Sequence, residues 1–586
     1  MFFCALVLLS FSNQSYAADD ISYNFEIIGL EDGEYSEILQ TFDEASLLVR
    51  EASKTLISVS NLRNKLNTDL AVMTQILRAE GYYAGEMFEQ FLRNGNHFEI
   101  RLTVVPGPLY QFGEITINYQ SNEPDEDIRN SIYNAIDITT GSPARAGPVL
   151  NAETNILTTL PKFGYPFAKD IQSDLVVDHK TQEMTINFNV EPGIRRRMGT
   201  VKLAGLDAVD AEFIDKFITW PSDSYYQQRY IDELQERIIK SNLFSGINIE
   251  IQPQGEDHAA ITVNHIEAKH RTIGTSVGYS TAEGIGGEVS WQHRNLMGDG
   301  KRLKITARAS EIEQSLASLL EIPHFKRLDQ TLSFEGVFRR QDTAAFFAHV
   351  LETRAGINRI VTDDLALLAN VELEYSDVTD TLGDRDFFLV SFPFGVRWDS
   401  SDNLLDANRG IRASIITAPS YGIGEETFKF LKSEFRASAY FALTAKENLI
   451  FAIRTRLGSI IGVENDTLPA TRRFYSGGGG SLRGYAFQHV GPLAFDSTPL
   501  GGRSVNEFAA EFRWKLENNL GFVTFAEAGN VYDSTTPKFN NLRYAAGVGA
   551  RYATGFGPLR FDVAVPLNKR ESDSNFQIYI SLGQAF

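Results

Sequence analysis

Cysteine is almost absent from this chain of 586 residues. The single one, Cys4, sits within an N-terminal apolar run, not after it where a lipidated cysteine stands. Once that run is removed, no disulfide framework and no cysteine-based metal site is possible. Basic residues are also short: 55 Lys and Arg stand against 75 Asp and Glu, a net charge of −20. That balance excludes the basic footprint on which nucleic-acid binding depends. Long hydrophobic runs are missing as well. After the first dozen residues, no apolar stretch reaches the ~20 residues of a membrane helix. The mature chain is therefore either soluble or crosses a membrane as a closed barrel.

What is present begins with Met1 to Phe11, a short apolar run followed by small residues. Ser15-Tyr16-Ala17 fits a signal-peptidase site, so residues 1–18 read as a secretory signal. No Lys or Arg precedes the run, which allows a true start upstream.

Residues 19–268 mix helical and strand patterning. Three amphipathic helices are expected. The first is read from an N-cap at Thr68, with Leu70, Met73, Ile76 and Leu77 on one stripe. The second carries Leu150, Thr154, Leu157 and Leu160; the third carries Tyr230, Ile231, Leu234 and Ile238. Two short strands follow each helix. The turns Val105-Pro106-Gly107-Pro108 and Val190-Glu191-Pro192-Gly193 close the first two units, and a new strand opens after each. A period of roughly 75–90 residues is too long for a solenoid and fits small β-α-α-β-β domains in tandem. The units are placed at 19–106, 107–193 and 194–268.

From residue 269 to 586 the helical period gives way to alternation. Between Lys301 and Ala309, Leu303, Ile305, Ala307 and Ala309 oppose Arg302, Lys304, Thr306 and Arg308. Phe508, Ala510, Phe512 and Trp514 oppose Glu507, Glu511, Arg513 and Lys515. Arg454 and Arg456 oppose Leu449, Phe451, Ile453 and Leu457. Such runs recur about sixteen times, an even number, as in bacterial outer-membrane barrels, whose apolar face meets lipid while a charged, watery lumen takes the other. The last run puts Phe576, Ile578, Ile580, Leu582 and Phe586 on one face. A soluble protein would leave this apolar edge to aggregate, whereas a barrel closes it against the first strand.

Arg472 to Tyr485, reading RRFYSGGGGSLRGY, resembles the loop-six signature of the Omp85 superfamily, with its Arg-Gly-aromatic core at Arg483-Gly484-Tyr485. Three further segments are similar to that family's motifs and follow in its order. These are Trp398-Asp399 through Asp406-Ala407-Asn408-Arg409-Gly410, with Ala407 in place of the usual proline; Phe525-Ala526-Glu527-Ala528-Gly529; and Gly557-Pro558-Leu559-Arg560-Phe561-Asp562. Gln584 departs from the apolar residue usual near the end of the terminal strand. The resemblance implies three periplasmic POTRA repeats (β-α-α-β-β) before a 16-stranded antiparallel transmembrane β-barrel in the outer membrane. Three repeats with a barrel of this length are most like the TamA branch. That branch implies a TamB-like inner-membrane-anchored periplasmic protein as partner, unfolded β-barrel or autotransporter clients, contact with outer-membrane lipids, and neither cofactor nor enzymatic chemistry.

The resemblance also assigns roles. The loop of Gly477, Gly478, Gly479, Gly480, Ser481, Leu482, Arg483, Gly484 and Tyr485 folds back into the barrel, and Arg483 meets an acid on the inner wall. Glycines suit a tight re-entrant turn, and a guanidinium is a fixed fork for a carboxylate. Glu527 is the first candidate partner and Asp562 the second. In a wet lumen such a pair is worth on the order of 1–4 kcal/mol. If Glu527 faces the lumen, Phe525 does too, which points to packing against the loop. Clients would enter at a lateral seam between the first and last barrel strands, where Gly274, Gly278, Ile578, Ile580, Leu582, Gly583 and Phe586 are the candidate residues.

Other motifs read as bland. Gly274-Thr275-Ser276-Val277-Gly278 matches a nucleophile elbow but sits inside a strand with no helix after it. His258, His265 and His270 lack zinc-type spacing, and the four glycines lack the Lys of a phosphate loop. Arg195-Arg196-Arg197 reads as a solvated inter-domain stretch rather than a lipid contact. Two rival functions remain: a passive pore, and a two-partner-type secretion transporter dedicated to one exoprotein.

Overall fold

The computed structural model describes residues 21–582, apart from 31–32, 52–57, 170, 282–283, 517 and 556. The signal segment with Cys4, and the seam candidates Gly583 and Phe586, lie outside the described residues.

Three small sheets come first, each with its first strand parallel to its last and the middle strand on the far edge. In the first, Ser22–Ile28 pairs parallel with His97–Val105, which pairs antiparallel with Glu86–Asn94. Gln111–Tyr119, Gln172–Asp178 and Glu183–Val190 repeat the arrangement, followed by Arg197–Ala204, Phe244–Gln254 and His258–Glu267. Helices between the first and second strands cover one face of the first two sheets.

The first long helix, Val59–Ala79, begins ten residues before the expected start. Its cap is Ser58, whose side chain accepts from the Asn61 amide; Thr68 lies mid-helix and donates back to the Asn64 carbonyl. The stripe continues upstream through Leu62 and Leu66, so the pattern set in more than two turns earlier than the Thr68 reading allowed. The second helix, Ala146–Thr159, is rotated from the expected phase. Val149, Ala152 and Ile156 are buried against Met184, Ile186 and Phe188, while Leu150 is exposed. Apolar residues stand side by side at 149–150 and 156–157, so two phases one residue apart fit the same sequence. The third, Gln228–Lys240, buries Ile231, Leu234 and Ile238 as read.

The basic triplet is not a solvated stretch. Arg195 lies 4.0 Å above the Tyr225 ring and bonds the Phe163 carbonyl and Asp125; Arg196 bonds the carbonyls of Gly255 and His258; Arg197 pairs with Asp223. Each guanidinium finds a ring, a carbonyl or a carboxylate, and those of Arg195 and Arg197 stay partly exposed. Of the histidines, His258 meets Asp257, His265 meets the Ala204 carbonyl, and His270 lies 3.8 Å from Glu267.

The chain divides into two compact units: residues up to Lys202 with 219–233 and 249–263, and the barrel with residues 203–218, 234–248 and 264–268. The barrel closes from Arg271–Ser280 round to Gln577–Leu582. Seventeen hydrogen-bonded segments make sixteen strands, because Gly383–Ser391 and Phe394–Asp399 are halves of one strand. Both halves lie between Leu365–Asp380 and Gly410–Ile423. The break falls at Phe392-Pro393, since proline has no N–H for the ladder. The flanking groups stay satisfied: the Pro393 carbonyl accepts from Asn370, and the Phe392 amide donates to the Pro419 carbonyl.

Alternation sorts as a membrane barrel requires. Phe512, Trp514, Phe522 and Ile453 are exposed on the outside, while Glu507, Glu511 and Arg513 are buried inside. Gly274 to Gly278 lies within the strand Arg271–Ser280, and no helix follows it.

Candidate functional site

Residues 462–503, between Leu449–Ile461 and Ser504–Lys515, fold into the barrel. Part of the lumen is thereby packed with protein. Leu468 and Phe474 of this loop pack with Phe346, Phe387, Leu389, Phe428 and Phe430 of the wall, all buried. Burying a loop exposes its backbone to loss of hydrogen bonds. Here cations supply them. Arg454 donates to the carbonyls of Gly480 and Ser481, Arg456 to that of Tyr475, Lys432 to that of Arg472, and Arg473 to those of Leu468 and Leu500.

Two of the four consecutive glycines carry the turn. Gly477 and Gly478 have φ of 106° and 100°, and a Cβ on Gly477 would lie 2.4 Å from the Ala486 carbonyl oxygen. Gly484, at φ 95°, faces Ala545 and Val565. Gly480 has open space where a Cβ would be. Ser481 accepts from the Gly477 amide and donates to Glu507; Leu482 and Tyr485 are buried with Val490 and Ala545.

Arg483 is 1 % exposed and meets three carboxylates. Its amide and Nε donate to Glu527 at 2.6 and 2.7 Å, Nη1 to Asp562 at 2.9 Å, and Nη2 to Glu511 at 2.5 Å. The guanidinium carbon lies 3.4 Å from the centre of the Phe525 ring, which shares the inward face with Glu527. Glu527, Glu511 and Asp562 come from three strands: Leu520–Tyr532, Ser504–Lys515 and Gly557–Pro566. Arg513 pairs with Glu511, and Arg551 and Arg560 with Asp562, so four cations answer three acids. Sequence reasoning named Glu527 and Asp562 but not Glu511. Its signal was the polar face already noted at Glu507, Glu511 and Arg513.

A second anchor went unread. Arg472 pairs with Glu372 and Glu374, and Arg473 with Asp380, all on Leu365–Asp380 across the lumen. Carboxylate oxygens of Glu352, Glu372 and Glu374 lie within 4.8 Å of one another. Arg354 and Arg339 join Arg472 there, so guanidinium groups fill the place a cation would take. The Arg-Arg doublet and the inward spacing of Glu372 and Glu374 were the available signals.

The remaining motifs sit beside this network. Lys515 binds Asp406 and Asn408 at 2.6 Å each, Arg412 lies 3.5 Å from Asp399, and Ala407 is buried where proline is usual.

The barrel closes on a thin seam. Tyr279 pairs with Ile580 and Ser280 with Tyr579, and these are the two register pairs across the closure among the described residues. The first strand makes ten pairs with its other neighbour, and the last strand six. Beyond the two pairs, Thr281 donates to the Ile578 carbonyl at 3.0 Å and accepts from the Ile578 amide at 2.9 Å. Gly278 faces the Ile580 carbonyl at the seam; Gly274 instead faces Ser290, away from it, and Leu582 pairs with Leu559. Ile273 and Val277 are 73 % and 76 % exposed on the outer side. Behind the seam lies a cavity of about 510 Å³ bordered by Glu288, Arg308, Gly480 and Arg560.

Residues 295–586 match the Omp85 superfamily domain. The chain is 21% identical over 547 residues to the outer membrane protein assembly factor BamA of Neorickettsia risticii (strain Illinois), across 87% of this chain and 71% of that protein. It is 23% identical over 518 residues to BamA of Nitratidesulfovibrio vulgaris, across 83% of this chain and 63% of that one. In fold it resembles the crystal structure of BamA from Haemophilus ducreyi lacking POTRA domains 1–3, with a TM-score of 0.69, 16% identity, and coverage of 81% of this chain and all of the other. With the sixteen-stranded barrel and the POTRA-type units before it, these likenesses establish that the chain belongs to the Omp85 superfamily of outer-membrane β-barrel proteins.

Proposed function

We propose that the protein inserts or translocates β-rich clients at the outer membrane, its POTRA units in the periplasm, by opening between Arg271–Ser280 and Gln577–Leu582. The observation that carries this reading is the closure by two register pairs among the described residues. Each ladder hydrogen bond contributes only about 0.5–1.5 kcal/mol net, so this junction costs less to part than any six- or ten-pair neighbour. A parted strand offers unpaired N–H and C=O groups to an incoming client strand, which adds by β-augmentation. Relatives named as outer-membrane assembly factors support the client class. Three POTRA units at 19–106, 107–193 and 194–268 favour TamA-type work: autotransporter clients, a TamB-like partner anchored in the inner membrane, and contact with outer-membrane lipids.

Loop six, held by Arg483 and Arg472, fills the lumen, which weighs against a passive pore. The test is a disulfide between Tyr279→Cys and Ile580→Cys, which are opposed across the seam, with Cys4 replaced by Ser. Client assembly should stop when the bond forms and resume on reduction. Undiminished assembly with the seam locked contradicts the proposal.

A further inference from the structure

The rim that carries loop six also carries the turns 533–542 and 567–576, opposite the end at which the chain enters the barrel. Together they enclose a cavity of about 670 Å³ with Lys538, Arg543 and Arg570 in its wall. These cations are matched differently from those inside the barrel. Arg483 and Arg472 each meet two or three carboxylates. Arg543 instead donates to the Asn568 carbonyl at 2.6 Å, and Arg570 to the Gly491 carbonyl at 2.6 Å and that of His489 at 3.4 Å. The Lys538 ammonium has no hydrogen-bond or ion-pair partner among the described residues. The one carboxylate in the wall, Asp533, lies 3.6 Å from Arg503. Asp573, near Arg570, already accepts from the Arg570 amide. Neutral carbonyls orient a guanidinium without cancelling its charge.

The cavity is also built rather than incidental. The turn is pinned at three successive places: Asn506 bonds the Lys538 carbonyl, Tyr532 that of Asn540, and Asn530 that of Asn541. Asn568 bonds the Leu542 carbonyl and the Tyr544 amide and accepts from the Tyr485 hydroxyl, so the wall is continuous with the loop-six motif. Burial and the neighbouring Arg543 hold the Arg570 guanidinium below its usual range, the mark of like charges kept close with little compensation. In a protein of net charge −20, three such cations around one pinned cavity call for an anion from outside.

We propose that this rim cavity binds a phosphate group, presented by a phosphorylated headgroup of the surrounding outer leaflet. Two guanidinium forks and an ammonium suit the several oxygens of a phosphate, and the outer-leaflet source rests on the proposed function, which sets the POTRA units in the periplasm and so this opposite rim outside. Through Asn568 and Gly491, an occupied site would also brace loop six.

The test uses the full-length protein in a neutral detergent. It is titrated with lipid A carrying both phosphates, with dephosphorylated lipid A, and with inorganic phosphate, read by isothermal calorimetry. Phosphorylated lipid A should bind at least tenfold more tightly than the dephosphorylated form. The double variant Arg543→Gln/Arg570→Gln should lose at least tenfold, and Lys538→Gln severalfold. Heat-modifiable gel mobility checks folding, and Lys538→Gln breaks no internal contact, so its result stands even if the double variant misfolds. Inorganic phosphate binding as tightly as the lipid, with the same losses, supports the phosphate site but assigns it to a free anion. Equal binding of the two lipids, no binding of any probe, or losses in neither variant overturns the proposal.

Discussion

Arg483 holds Glu527 twice, by its backbone amide and by its side chain, at 2.6 and 2.7 Å. The same carboxylate therefore fixes both the position of the loop backbone and the direction of the guanidinium. With Glu511 and Asp562 on the remaining nitrogens, the loop is tied to three strands of the wall at one point.

Removing one partner of this network strands buried charge. Arg483→Ala, which leaves three acids with fewer cations, should cost about 3–5 kcal/mol, read as a lower temperature for the heat-modifiable gel shift. Arg483→Lys should recover little, because an ammonium cannot reach three carboxylates in the directions the planar fork does. Full recovery by lysine would argue that charge alone matters.

The second anchor predicts a separate phenotype. Arg472→Ala frees the start of the loop from Glu372 and Glu374 while leaving the Arg483 tie intact. Protease added outside should cut between residues 462 and 476 in this variant and between 477 and 490 in Arg483→Ala. Identical cutting patterns would mean that the loop moves as one piece.

Gly477→Ala places a methyl 2.4 Å from a carbonyl oxygen at φ 106°. The strain should cost about 1–3 kcal/mol, whereas Gly480→Ala, with open space around it, should be near neutral. Single-channel recording reads the consequence. The unaltered barrel should conduct little, and deletion of residues 477–485 should raise its conductance.

The clasp between Glu267 and residues 207–209 responds to acid. Burial draws the Glu267 carboxyl upward, but N–H donation from Asp207, Ala208 and Val209 outweighs it and holds the group below the carboxylate range. A depressed folded value means that the stabilisation is complete above the unfolded value, near ~4.3, and fades as pH falls through the folded one. Protection of those three amides in hydrogen exchange, corrected for intrinsic rates, should drop below about pH 4.3. Glu267→Gln should lower it at neutral pH and flatten the pH response.

Much of this architecture was legible from residue order. Period-two runs with charge on one face are a local property, and they located the strands, their count and the inward side of Glu527. Helix phase was not, because Val149 beside Leu150 satisfies two stripes, and only the sheet beneath chooses between them. Nor was the packing of the loop against the wall, since a residue that faces inward in a strand does not reveal what fills the space opposite. Glu511 was missed as a partner for the same reason. Its side was evident, but three acids converging on one arginine is a fact of barrel curvature, not of spacing. The Arg472 anchor spans a hundred residues of sequence and has no local trace beyond the doublet itself.

Hydrogen exchange at the seam bears most directly on the claim that the barrel opens there. With the full-length protein in lipid nanodiscs, the amides of Tyr279 to Thr281 and Ile578 to Ile580 should exchange at least a hundredfold faster than those of Ala348 to Gly356 in the fourteen-pair ladder with Leu365–Asp380. Equal protection at the two places would show a closure as firm as the rest of the wall and contradict the account.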